Sequence, residues 1–179
     1  MDNIEQFSLY TAKIFKELYD SFPIPVGIDR NEMISDCLLF NKDDELQSLK
    51  NKKEMASLAI LAGRNGKTNK MEEGLLSVQG KHSELENEKS NEIGYQTAVF
   101  NNTLEFLIFE GLIRTPEDGG YVLTAKAFSH LNMNFDNGAL NDNESSYIKT
   151  IKGIFANATE KVGIGVAVKI IPSLLGINQ

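Results

Sequence analysis

The side chains able to do chemistry in this chain are few and far apart. There are two histidines, His82 and His130, and one cysteine, Cys37. No cluster of His, Cys or carboxylates has the spacing of a metal site. No Gly-x-Ser-x-Gly elbow presents a nucleophile. Cys37 lies in ISDCLLF, where apolar neighbours favour a buried thiol over a reactive one. A single cysteine forms no intramolecular disulfide and suits a reducing compartment. The acid pairs Asp43-Asp44 and Glu72-Glu73 sit in polar surroundings and read as solvated charge. The expectation is a chain that is not an enzyme, with no metal and no cofactor.

Residues 58–68 read LAILAGRNGKT and invite comparison with a phosphate-binding loop. That loop needs four residues between its first glycine and Gly-Lys-Thr, so that the backbone can curl around the phosphates. The position required of the first glycine is held by Leu61, and Gly63 comes too late. A helix C-cap with basic residues near the negative helix end explains the same letters.

Charge narrows the partners. The net charge is −7, and an acidic chain holds a phosphate backbone only through a concentrated basic patch. Residues 41–71 carry seven basic and four acidic groups, whereas residues 72–110 carry two and eight. The C-terminal residues 145–179 carry four basic groups and one acidic. The N-terminus, MDNIEQF, lacks the basic start and apolar run of a signal peptide. No uninterrupted apolar stretch is long enough to span a membrane. A cytoplasmic location is expected.

The elements that must position these groups follow from periodicity. Apolar residues three or four apart predict a helix over residues 4–20. Pro23 and Pro25 force a short strand or strap over 24–28, and Asp29 caps a helix from Arg30 to about Phe40. Asp43, Asp44 and Glu45 open another helix, with Leu46, Leu49, Met55, Leu58 and Leu61 as its apolar side, ended by Gly63 and Gly66. Residues 63–94 are rich in Asn, Lys, Glu, Ser and Gly and read as a long, partly mobile loop holding His82. A strongly apolar helix covers 95–110 and stops at Gly111. Short strands over 112–115 and 121–124 flank PEDGG, whose proline and paired glycines supply hairpin-turn dihedrals. Thr124 caps a helix over 125–132 containing His130. Residues 145–171 form a final amphipathic helix ended by Pro172, expected to dock on the domain or on a second copy.

Three blocks carry a family resemblance: Phe22, Pro23, Pro25, Ile28 and Asp29 after the first helix; Thr103, Leu104, Phe106, Leu107, Glu110, Gly111, Ile113 and Arg114; and Gly120 to Lys126. Together they resemble small, largely uncharacterised bacterial winged-helix proteins with a C-terminal amphipathic helix. Ala127 stands where many winged helices carry glycine. The resemblance implies a mainly α fold with a small β-hairpin (α+β). A winged helix-turn-helix core would fill residues 1–134, with a helical or loop insertion at about 41–94. A linker over 135–144 and the amphipathic helix over 145–179 complete that organisation.

Winged helices read DNA through the helix before the hairpin, with Arg or Lys on the phosphates. Here that helix carries no basic residue; its charges are Glu105 and Glu110. Phe106 and Phe109 add apolar surface beside the stripe Phe100, Leu104 and Leu107. Glu117 and Asp118 stand at the hairpin tip. A protein-binding module is therefore the leading expectation, one form being an immunity- or antitoxin-like protein that covers a basic toxin. The contact candidates are Glu105, Phe106, Phe109, Glu110, Glu117 and Asp118. The alternative is a DNA-binding regulator using Lys50, Lys52, Lys53, Arg64, Lys67, Lys70, Arg114 and Lys126. A third is an oligomeric scaffold assembled through the C-terminal helix. Membrane contact is not favoured.

Overall fold

A computed structural model describes residues 2–35, 37–62, 68–133, 146–157 and 160–176. It is mainly helical, with one small antiparallel sheet. The chain divides into two compact units: unit 1 is residues 1–36 with 97–179, and unit 2 is residues 37–96.

Unit 1 begins with α1 (Asn3–Ser21). Asp2 and Glu5 close a capping box, each carboxylate accepting the other's backbone N–H at 2.8 Å, which satisfies two of the helix's otherwise unpaired groups. The periodicity predicts one apolar stripe, but α1 is buried on more sides than that. Gln6, Ser8 and Thr11 are buried along with Leu9, Tyr10, Ile14, Phe15 and Leu18. Other elements of unit 1 surround it, and α6 (Tyr147–Asn157) and α7 (Glu160–Leu175) both pack against it. The expected C-terminal helix is thus two helices, and Pro172 lies inside the second instead of ending it. Interior proline costs about 3 kcal/mol. The buried neighbours Ile170, Ile171 and Leu174 offset that loss. The apolar residues Ile148, Ile151 and Ile154 of α6 are also buried, so these helices belong to the core of unit 1. The expected 135–144 linker lies outside the described residues.

The chain after α1 runs as the expected strap. Val26 forms an isolated antiparallel bridge with Tyr121, with N···O distances of 3.0 and 2.8 Å. Asp29 then caps α2 (Arg30–Ser35), accepting from the N–H groups of Asn31 and Glu32. α2 ends well before Phe40. The backbone just beyond is engaged by side chains instead of by further helix: Glu92 accepts from Leu39 N–H, and Gln96 donates to the Cys37 carbonyl at 3.3 Å.

Unit 2 contains α3 (Asp43–Leu61) and the first part of α4 (Thr68–Phe109). The stretch expected as a loop from residue 68 onward is this helix. Low hydrophobicity suggested disorder, yet Glu, Lys, Gln and Leu are strong helix formers. Gly74, Gly80 and Gly94 meet no neighbour that a side chain would strike, so they weaken the helix without interrupting it. Lys42 pairs with Glu88 at 2.8 Å, and Lys89 with Asp43 at 2.6 Å. These tie α4 to the start of α3.

The expected single apolar side of α3 is also wrong. Leu49 is buried, while Met55, Leu58 and Leu61 are exposed. Six residues are roughly 1.7 turns, so Met55 points well away from Leu49.

In unit 1, α4 leads into β1 (Ile113–Arg114) and β2 (Val122–Leu123), with Ile113 opposite Leu123 and Arg114 opposite Val122. Gly119 and Gly120 have φ of +86° and +75°, the left-handed values that favour glycine. A Cβ on Gly120 would stand 3.0 Å from the Val26 carbonyl oxygen, so the strap's close approach also requires glycine. α5 (Ala125–Asn132) starts at Thr124, whose hydroxyl accepts from Ala127 N–H. Phe128 of α5 stacks on Tyr19 and Phe22. No helix among the described residues is long and apolar enough to cross a membrane.

Candidate functional site

The last turns of α4 divide their side chains cleanly. Phe100, Leu104 and Leu107 enter the core of unit 1. Tyr10 and Phe100 meet edge to face at 5.6 Å, and Phe7 and Phe106 at 5.4 Å. Such pairs contribute about 0.5–1.5 kcal/mol beyond area burial. Phe106 is therefore half-buried, whereas Phe109 is 87% exposed. Glu105 and Glu110 are exposed beside it.

The end of α4 is held by backbone geometry. Gly111 adopts φ of +65° and donates to the Ile108 carbonyl, while Leu112 donates to the Leu107 carbonyl. This is the paired-bond ending that a left-handed glycine allows. Thr124 and Lys126 cap the next carbonyls: the Thr124 hydroxyl donates to Gly111 O and the Lys126 ammonium to Glu110 O. A cation there suits the negative end of the helix. Lys126, a phosphate-contact candidate by sequence, thus has a structural partner already.

Along the side of α4 that carries Phe106 and Glu110 lies a cavity of about 510 Å³, lined also by Leu112, Lys126, His130, Met133, Tyr147 and the end of α7 from Ser173 to Gly176. Tyr147 and Ser173 share a hydroxyl hydrogen bond at 2.9 Å within this wall. The exposed Met133 extends the apolar surface. Its size is that of a site for a small ligand or a few protein side chains. Phe106 and Glu110 were legible as candidates from their own helix. Met133, Tyr147 and Leu174 were not, because no sequence spacing connects them to α4.

The remaining candidates do not converge on one place. Glu117 and Asp118 are exposed at the hairpin tip, and Arg114 is exposed on β1. Lys50 and Lys52 are exposed and Lys53 half-buried on α3, which belongs to unit 2. Arg64, Lys67 and the Lys70 side chain lie outside the described residues.

His82, expected in a loop, is instead buried on α4 with Nδ1 3.2 Å from the Glu86 carboxylate. His130 is part of the cavity wall, and Cys37 is buried, as its apolar neighbours suggested. Among the described residues no group of His, Cys, Asp and Glu could hold a metal ion. Asp20 receives the Lys152 ammonium, whose hydrogen bond holds its carboxyl below the usual range; Lys152 also lies over the Tyr19 ring. That pair ties α6 to α1 and is remote from Phe109 in role.

Comparison with protein-family models, with curated proteins and with solved structures finds no match.

Proposed function

We propose that this chain is a non-catalytic protein-binding module built on a winged-helix core, and that Phe109, with the cavity lined by Phe106 and Glu110 of the same helix, is its docking face. The order of strap, helix, hairpin and wing glycines supports the winged-helix reading. The observation that carries the function is Phe109, a large aromatic side chain 87% exposed at the end of the helix that precedes the hairpin. Aromatic anchors flanked by charge are frequent centres of protein interfaces. Glu105 and Glu110 beside it, and Glu117 and Asp118 at the wing tip, complement a basic partner. Acidic steering of this kind speeds encounter with a positive surface. A concrete form is an immunity- or antitoxin-like protein that covers a basic toxin.

The test is to purify the chain from its own cells with whatever protein accompanies it, and to titrate that protein calorimetrically. Phe109→Ser should weaken the complex about tenfold or more, as loss of an interface anchor does. Glu105→Lys with Glu110→Lys should slow association, increasingly so at low salt. Tight binding to duplex DNA with no protein partner would overturn this reading.

A second reading, a DNA-binding regulator, draws on Lys50, Lys52 and Lys53. None of the three meets an intrachain carboxylate among the described residues. In that case DNA affinity falls steeply with salt and disappears when all three become Glu.

A further inference from the structure

Unit 1 holds a second, smaller cavity of about 280 Å³, lined by Ile28 of the strap, Arg30 and Asn31 of α2, Phe100, Asn101 and Leu104 of α4, and Tyr121 beside β2. Five residues, roughly 1.4 turns, separate Asn101 from Phe106, so the two cavities use different faces of α4. Its apolar lining is fixed: Phe100 and Leu104 are buried, and Phe100 is held edge to face against Tyr10. Its other walls are fixed through the backbone. Tyr121 exchanges two backbone hydrogen bonds with Val26, and the Asp29 carboxylate accepts from the N–H groups of Asn31 and Glu32. A cavity carried on such positions is formed before any ligand arrives.

The polar side chains around this cavity are unmatched. Among the described residues the Arg30 guanidinium meets no carboxylate, and the side chains of Asn31, Asn101 and Tyr121 make no hydrogen bond. Arg30 is the one charged residue of the lining. The acids close to it in sequence, Asp29, Glu32, Glu105 and Asp118, do not line the cavity, and Asp29 is engaged as a helix cap. The lining is rich in donors: a guanidinium offers five and accepts none, and two carboxamides and a phenol add more. An ionised carboxylate only accepts and meets the guanidinium fork with two parallel bonds. Phosphate carries a larger charge at neutral pH and finds a single cation here. Ile28, Phe100 and Leu104 ask for an apolar body behind the acid group.

We propose that this cavity binds a small monocarboxylic acid with an apolar body, its carboxylate on Arg30 and its body against Ile28, Phe100 and Leu104. Asn31, Asn101 and Tyr121 are the further polar contacts. The volume lies just below the usual range for drug-sized ligands, which limits the body to one ring or a short branched chain. A ligand there bridges the strap, α4 and the hairpin. The site shares no lining residue with the Phe109 face or its cavity, and it does not rest on the protein-binding reading.

The test titrates the full chain with phenylacetate, isovalerate, phenylacetamide and inorganic phosphate, followed by amide NMR. Both carboxylates should shift the amides of Ile28, Arg30, Asn31, Asn101 and Tyr121 saturably, with dissociation constants of about 1 mM or below. Phenylacetamide has the shape without the charge, and phosphate has the charge without the apolar body. Each should bind about tenfold more weakly or worse. Arg30→Gln should weaken phenylacetate binding about tenfold or more and leave helical circular dichroism unchanged, since the side chain is exposed. Arg30→Lys keeps the charge without the fork and should fall between. No saturable shift at about ten times the expected dissociation constant overturns the proposal. So does phenylacetamide or phosphate binding as tightly as the acids, or phenylacetate binding indifferent to Arg30→Gln.

Discussion

Unit 1 buries Tyr10, Ile14, Phe15, Leu107 and Ile151 almost completely, whereas unit 2 buries only Cys37 and Leu49 among its described apolar side chains. The same helix, α4, serves both. Its residues from Thr97 onward are gripped by aromatic contacts with α1. Its residues before that rest on local helix preference and on pairs such as Lys42–Glu88 and Lys89–Asp43. Exposed ion pairs contribute little, about 0–1 kcal/mol each, and buried apolar groups far more. One helix can therefore be held by two unequal kinds of force along its length, and stability need not be uniform along it.

The largest expected effect comes from the core of unit 1. Leu107→Ala should cost about 3–5 kcal/mol, read from urea denaturation. The same change at the exposed Leu58, measured in dilute protein, should stay within about 0.5 kcal/mol. Similar costs at the two sites would erase the contrast. Next, amide hydrogen exchange should separate the two parts of α4. Amides of 97–107 should be protected about a hundredfold more than those of 75–92, a difference of about 2.7 kcal/mol in local opening.

Gly120→Ala combines a left-handed φ with a clash against Val26 and should cost about 2–3 kcal/mol. At Gly119 the φ is similar but the space is open, so about 1 kcal/mol is expected. Equal losses in thermal unfolding would remove the close-approach argument.

Even unit 1 is imperfect: the Thr11 hydroxyl is buried without a hydrogen-bond partner among the described residues. Thr11→Val keeps the shape and deletes that group, so it should stabilise by about 1 kcal/mol. A loss of stability would show that the hydroxyl is bonded after all.

The smallest effects are those of pH. The Lys152 ammonium lowers the Asp20 carboxyl. Its contribution is present above about pH 4, the unfolded value, and fades as pH falls through the lower folded value. Both side chains are partly exposed, so about 0.5 kcal/mol or less is expected, reduced by Lys152→Ala, with the weaker Lys16–Asp20 pair remaining. In unit 2 the sign reverses: Glu88 raises Lys42. That contribution is complete below about pH 10.4 and fades as pH rises through the raised folded value. Titration of each pair by NMR checks both directions.

Local signals in the sequence were reliable where one residue decides one feature. Thr124 as a helix cap, Asp29 as another, Gly111 as a stop, and the Gly119–Gly120 turn all stand as their chemistry requires. The hairpin follows from them, since no distant contact is needed to make a left-handed glycine. The site was half legible. Glu105, Phe106, Phe109 and Glu110 follow from helical spacing, but the Met133, Tyr147 and Leu174 walls of the cavity come from elsewhere in the chain.

Charge distribution, the lack of Lys and Arg over residues 95–110, and the local starts and stops are properties of the amino-acid order alone, because each depends on neighbours within a few residues. Several features belong to the tertiary structure. α4 extends back through a polar stretch, His82 is buried, and Pro172 lies within α7. Phe106 faces Phe7 while Phe109 faces solvent. In each of these, packing or pairing between segments distant in the chain sets a balance that local preference leaves nearly even.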